Sequence, residues 1–568
     1  MAKILFFYHM TKQQTHLTFD VKTTLSSRAF VLLRNFIYIC ARLFNLKNNC
    51  MFKNHPKGLL AAALSNMGER FGYYIMNAVL ALFLCSKFGL TEGQAGLIYS
   101  VFYAGIYILS LVGGIIADRT QNYKGTIMKG LCIMALGYII LSIPVLATPQ
   151  NSTYLLAVTC VALFLIAFGN GLFKGNLQAI VGQMYDNFEA EAAKQGEEAL
   201  KVAKDKRDSG FQIFYVFINV GGVVAPFVAP LLREWWLETN GLIYNSALPA
   251  YCHQYLANAA AMSAEGLANM QTLVESVKGV WAADMTEFCN NYLKVFNEGV
   301  HYSFFASVAA MLVSLIIFVA NKRIFPTPAK KEASAVAEYT AEEKAAMAAE
   351  IKQRLMALFA VLGIAIFFWF SFHQNGMSLS FFARDFVDQS FVAPEIWQAL
   401  NPFFVIVLTP VIMWIFGTLA RNGKAISTPR KIAIGMGIAG TAFLFLALYS
   451  YIMGYPSANE FKAMNPADKV ISGPWVLIVL YFFLTVAELF ISPLGLSFVS
   501  KVAPRHMVGL CQGLWLGATA LGNLMLWVGP LMYNAWPIWQ CWTVFLAVCL
   551  ISMGVMLGMV KWLERVAQ

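Results

Sequence analysis

The sequence predicts an all-α membrane protein with twelve transmembrane helices in two six-helix bundles, and three observations predict it. Hydrophobic residues make up 59% of the 568 residues and charged residues 12%, with a mean hydropathy of +0.61. Soluble domains hold about 45–50% apolar and about 25% charged residues, so the composition excludes a disordered chain, a fibre and an ordinary soluble enzyme. Apolar windows long enough to cross a bilayer recur twelve times along the chain. Finally, they form two clusters of six around the polar stretch Lys322 to Arg354, a layout suited to two helical halves flanking a central path.

Residues 1–54 form a basic extension. Its first 50 residues carry seven Lys and Arg against Asp20 alone, and the apolar run Ala29–Phe44 is interrupted by Arg34 and Arg42. Those charges argue against a signal h-region. Two readings stand: an amphipathic helix on the membrane surface, or an upstream stretch preceding a true start at Met51. The first bundle, 55–321, takes spans near 59–84, 94–117, 127–147, 154–184, 211–232 and 302–321. A linker at 322–354 is rich in Ala, Glu and Lys and too charged to span. The second bundle, 355–568, takes spans near 355–382, 396–420, 431–453, 474–500, 507–533 and 538–561.

Two insertions interrupt the first bundle. Asp186–Ser209 is charged and cytoplasmic, and reads as a solvated connector in the form of a surface helix. The longer one, about 233–300, has an Ala-rich centre and is expected to hold its own helices, because structureless loops of that length are uncommon. It contains Cys252 and Cys289, either a disulfide or two separate thiols. The ten cysteines form no CxxC pair, so a metal or redox motif has no support. No cofactor is expected, and no nucleotide loop or nucleophile elbow suggests an enzyme.

Lys and Arg cluster in alternate loops, among them Arg119, Lys124, Arg207, Lys322, Arg421, Arg430 and Arg505. This places both termini in the cytoplasm of a multi-pass plasma (inner) membrane protein. The net charge of +11 then serves topology and anionic lipid rather than nucleic acid.

Ionisable residues are costly in hydrocarbon and normally face the bundle interior. Five lie well inside the spans: Glu69, Arg70, Lys174, His373 and Glu488. Adjacent helical residues point about 100° apart, so Glu69 and Arg70 are expected to find separate partners on other helices, Lys174 being the counter-charge for Glu69. The set reads either as a static ion network or as a site for a zwitterion or a proton relay. Glu488 set against Lys174 and Arg70 supplies the polarity a zwitterion needs. His373 suits proton handling near pH 6.5 or is a core histidine bonded to a carbonyl. Gly and Pro breaks, among them Gly113-Gly114, Gly169, Pro226, Pro410 and Pro493, allow close helix approach and bending.

The segments LVGGIIADR (111–119), FGNGLFKGNLQAIVGQMY (168–185), FQIFYVFINVGGVVAPFVAP (211–230), ALNPFFVIVLTP (399–410), STPRKIAIGMG (427–437) and AELFISPLGLSFVSKVAP (487–504) together resemble the proton-dependent oligopeptide transporter family of the major facilitator superfamily. The resemblance implies uptake of di- and tripeptides with protons by alternating access, in a monomeric functional unit. It implies that Asn219, Asn401 and Glu488 hold the peptide amino terminus and backbone, with Lys174 near its carboxylate. Tyr73, Tyr74, Tyr107 and Trp515 would wall the pocket, and Glu69, Arg70, Lys174, His373 and Glu488 would carry the proton response. Three departures stand out. Asn66 replaces the first glutamate of the span-one motif, Asn77 replaces an arginine, and His373 replaces the acid that pairs with that arginine. The last two changes are mutually consistent, since losing one charge alone would strand the other. Other cargoes (another small zwitterion or an organic anion), an uncoupled facilitator and a non-transporting peptide sensor are the competing readings.

Overall fold

The computed structural model describes residues 55–148, 150–278, 284–326, 341–390, 392–424, 426–503 and 508–567. The basic extension and the centre of the linker lie outside the described residues. A backbone crossing hydrocarbon must satisfy its own N–H and C=O groups, and among the described residues twelve helices are long and apolar enough to do so. The first half contains α1 (Leu59–Phe88), α2 (Glu92–Thr120), α3 (Tyr123–Ser142), α4 (Ser152–Ala193), α5 (Glu197–Thr239) and α8 (Met285–Ala320). Between α5 and α8, α6 (Leu248–Asn258) and α7 (Ala264–Lys278) build the insertion. The second half begins with α9 (Ala341–Phe372), which continues after a short 3-10 turn as α10 (Ser378–Asp385). It goes on through α11 (Leu400–Arg421), α12 (Thr428–Ile452), α14 (Trp475–Val502), α15 (Val508–Leu524) continued as α16 (Val528–Ala535), and α17 (Ile538–Ala567). The short helix α13 (Ala458–Ala463) lies in the loop after α12.

Local signals set the ends. Gly89 closes α1 with a left-handed φ of 65°, and a Thr91–Gln94 capping box opens α2. Small residues set the spacing inside the first half. A Cβ on Gly113 would lie 2.1 Å from the Gly171 carbonyl oxygen, and one on Gly130 would lie 2.6 Å from that of Gly169. The backbones of α2 and α3 therefore rest directly on α4. α1 packs on α8 through Gly68 and Gly72, with Ser65 bonded to Ser314 and Ser307 to the Gly72 carbonyl. This fixes one face of α1 and turns Glu69, Arg70, Tyr73 and Tyr74 to the others.

Asp186–Ser209 is a solvated connector between two spans, built from helix. It is a helical hairpin made by the prolonged ends of α4 and α5, turned at Gly196 (φ 122°) and tied by Arg207 to Asp186 at 2.7 Å and Glu189 at 3.2 Å. The longer insertion does hold its own helices. They lie against both halves: His253 Nε2 donates to the Ser86 carbonyl at 2.7 Å, Tyr251 donates to the Lys462 carbonyl at 2.9 Å, and Asn269 to that of Met464 at 3.2 Å. Burial lowers the pKa of His253. Cys252 and Cys289 are free, buried thiols, so the disulfide is not formed here. The Cys252 thiol is pushed up by a hydrogen bond to the Cys289 side chain and by burial.

Two spans are broken at the same level. Span seven breaks at His373–Gly376, and span eleven between α15 and α16. Gln374 Nε2 donates across to the Leu526 carbonyl at 3.2 Å, and Tyr481 donates to the Asn375 carbonyl at 3.0 Å. Side chains thus recover the hydrogen bonds that the interrupted helices release.

Candidate functional site

Glu69 and Arg70 pair with each other. Arg70 Nε donates to Glu69 Oε2 at 2.6 Å and Nη2 to Oε1 at 2.8 Å, and Asn170 Nδ2 on α4 donates to Glu69 Oε1 at 2.7 Å. This corrects the expectation of separate partners: the Cβ directions diverge, but an arginine stem is long enough to fold its fork back onto a neighbouring carboxylate. It also corrects the assignment of Lys174, whose Nζ lies 5.0 Å from the centre of the Tyr107 ring and makes no ion pair among the described residues. Lys174 still stands in the field of Arg70, Glu69 and His373.

His373 is buried at the break of span seven, where it opens the 3-10 turn. Its Nδ1 bonds Asn523 Oδ1 at 2.6 Å. It stacks on Trp369 at 4.8 Å, and the edge of Tyr103 meets it at 4.9 Å. Tyr103 belongs to a ladder, Tyr99–Tyr103–Tyr107, with centroids 5.5 and 5.9 Å apart on one face of α2. Tyr99, Tyr103 and Asn523 were not singled out from the sequence, although the four-residue spacing of three tyrosines was the available signal. The ladder runs from Lys174 to Asn77, whose Oδ1 accepts from Tyr99 at 3.1 Å and Tyr73 at 3.3 Å. Asn77 Nδ2 reaches Gln398 Oε1 in the second half at 3.4 Å. At this level, neutral amides join the halves.

In the second half, Asn401 Nδ2 donates to Glu488 Oε2 at 2.7 Å and to Thr485 Oγ1 at 3.2 Å. Glu488 is half-buried and has no cationic partner among the described residues. Tyr74 links the two centres. Its ring edge and Pro402 both lie against Gly222, and it stands in the field of Arg70, Glu69 and Glu488. Asn219 turns its amide back to the Tyr215 carbonyl at 3.0 Å. Trp515 is buried over Gly495, whose Cβ would lie 2.0 Å from the indole. The structure thus brings Glu69, Arg70, Tyr73, Tyr74, Tyr107 and Lys174 together in the first half, and Asn401 and Glu488 in the second.

Ion pairs join the halves at the insertion face. Glu92, at the start of α2, meets Arg384 at 2.7 Å, Lys462, and Asn534 at 3.2 Å. Arg233 of α5 meets Glu395 at 2.5 Å, with side-chain exposures of 2% and 0%, beneath Tyr244 of the insertion. Arg384 is shared with Asp385, which also accepts from Tyr533. These residues were not singled out from the sequence because they sit at helix ends, where charges are ordinarily solvated. A cavity of about 520 Å³ opens beside them, lined by Glu92, Arg233, His253, Arg384 and Lys462 among others. Among the described residues, no group of three His, Cys, Asp or Glu side chains is placed to hold a metal ion.

Residues 124–342 and 329–537 match the model of the POT family, PTR2. A peptide transporter of Yersinia enterocolitica subsp. palearctica is 29% identical over 501 residues, covering 83% of this chain and 87% of that one. Dipeptide and tripeptide permease A of Escherichia coli K12 is 26% identical over 484 residues, covering 83% of each. Among solved structures, a peptide transporter POT in complex with sulfate superposes with a TM-score of 0.64 at 22% identity, covering 91% of this chain and 96% of that one. A POT family transporter in complex with 5-aminolevulinic acid gives 0.64 at 18% identity, covering 91% and 98%. The fold is accordingly that of the major facilitator superfamily.

Proposed function

We propose that this chain, which belongs to the POT family, is a multi-pass membrane transporter that imports di- and tripeptides together with protons by alternating access. The observation that carries the reading is the pair of uncommitted charges in opposite halves. Among the described residues neither forms an ion pair: Glu488 accepts from the Asn401 amide, and Lys174 rests on the Tyr107 ring. A peptide zwitterion supplies the missing partner for each, its ammonium to Glu488 and its carboxylate to Lys174. Binding one molecule to both halves favours their approach, which is the coupling that alternating access requires. A bare anion is disfavoured by Glu488.

Asn219 and Asn401 present amides to the peptide backbone, and Tyr73, Tyr74, Tyr107 and Trp515 are walls that accept varied side chains. Protons act on Glu69, Lys174, His373 and Glu488. Protonating Glu69 releases Arg70 from its partner, so a proton and a substrate carboxylate become linked through one guanidinium. In this arrangement the halves 55–321 and 355–568 rock about the site. Both termini are cytoplasmic, the insertion face is external, and the functional unit is the monomer.

The test is uptake of labelled dialanine into proteoliposomes with and without an inward proton gradient. Accumulation above equilibrium only with the gradient supports the proposal. Equal uptake in both conditions makes the protein a facilitator, as expected if Asn66 abolishes coupling, and no uptake in either refutes the cargo.

A further inference from the structure

The last turn of α1 places Lys87 in an unusual position. It is 5% exposed, and its Nζ lies 2.8 Å from Nε2 of His301, itself 1% exposed on α8. The other ring nitrogen of His301, Nδ1, bonds the Leu141 carbonyl. A carbonyl only accepts, so Nδ1 carries the hydrogen and Nε2 offers its lone pair to the lysine. The partner of Lys87 is therefore a neutral imidazole. Its other neighbours are the rings of Phe83 and Phe88, at 5.4 and 5.6 Å. The carboxylates of the same face pair elsewhere, Glu92 with Arg384 and Lys462, while Glu298 accepts from Trp236. Among the described residues Lys87 forms no ion pair, although a buried charge normally has one.

Lys87 and His301 form the polar floor of a cavity of about 180 Å³ between α3, α4 and α8. Its walls are apolar apart from Thr159 and include Ile140, Leu155 and Val158. Its mouth is rimmed by Ile143 (52% exposed), Val145 (41%) and Tyr154 (71%). It lies where α1 and α3 end and α4 begins, and span ends with exposed tyrosines are the part of a helix that meets lipid headgroups. An uncompensated cation beneath an apolar crevice at that depth is the complement of a lipid phosphate with its acyl chain. A metal ion would be repelled, and a soluble anion would leave the apolar walls unused.

We propose that this crevice binds an anionic phospholipid, its phosphate seated on Lys87 and one chain along α4. The peptide site does not contribute to it. The test reconstitutes full-length protein in phosphatidylcholine vesicles with and without phosphatidylglycerol, then releases it into mild detergent for native mass spectrometry. One retained phosphatidylglycerol is expected in preference to phosphatidylcholine, with retention falling about tenfold in Lys87→Gln, the loss of one charge-assisted hydrogen bond. Val158→Trp, which fills the crevice and leaves Lys87 intact, should lose the lipid as well and serves if Lys87→Gln does not fold. Equal retention by wild type and both variants overturns the proposal. So does a phosphate adduct formed from inorganic phosphate that displaces the lipid.

Discussion

Replacing Glu395 by glutamine should push the protein away from the state in which its insertion face is closed. Arg233 and Glu395 join the halves with side-chain exposures of 2% and 0%, so solvent screening offers little relief. Removing one partner of a buried pair costs about 3–5 kcal/mol. The cost falls on the closed state, because parting the halves lets Arg233 reach water. At about 1.4 kcal/mol per factor of ten, even the lower figure shifts the closed-to-open ratio by roughly two orders of magnitude. Spin labels at Asn240 and Asn465, exposed on opposite halves, would report the separation by double electron–electron resonance after the exposed native cysteines are replaced. The expected result is a longer distance in Glu395→Gln. The double variant Arg233→Leu with Glu395→Leu strands no charge and should return toward the short distance. An unchanged distribution in Glu395→Gln would refute the assignment of this pair as an interhalf lock.

Four further outcomes are expected. His373→Gln keeps the bond to Asn523 but not the titration, and should flatten the pH dependence of peptide uptake while leaving counterflow measurable; an unaltered pH profile would remove His373 from the proton pathway. Gly113→Ala should lower stability by about 3 kcal/mol, since its Cβ meets backbone that cannot swing aside; thermal unfolding in detergent checks this against Gly114→Ala, where nothing lies within 4 Å. The pKa of His253 is lowered from 6.5 by burial, so the undocked insertion binds more protons than the docked one. Docking is then complete above about pH 6.5 and weakens as pH falls through the lowered value, which protease cleavage of the insertion against pH should show in wild type and not in His253→Gln. Oxidation should join Cys252 to Cys289, read as a reductant-sensitive loss of thiol labelling that Cys289→Ser abolishes.

The fold was legible because hydrocarbon imposes one rule on every span, and hydropathy reports that rule directly. The candidate charges of the site could be picked out for the related reason that charges inside spans are rare. Their pairing was not legible. The Cβ directions of Glu69 and Arg70 diverge but their side chains reach each other, and no spacing rule announces that Asn170 will complete the carboxylate's bonds. Lys87, His301, Arg384 and Asp385 show that buried ionisable groups extend beyond the five read from the sequence, because helices overrun the apolar windows by several residues. The insertion's hydrogen bonds to Lys462 and Met464 depend on elements about two hundred residues away, and only tertiary structure brings these together.

The network around Glu92 has a second life once the halves part. Glu92, Arg233, Arg384, Lys462 and Glu395 would then all face water around a single opening, with signs mixed and divided between its two sides. Such a rim has little net pull on a simple ion. It does exert a torque on a molecule carrying a positive and a negative end, turning it before it descends. The groups that seal the mouth when it is shut would thus comb incoming dipoles into one orientation when it is open.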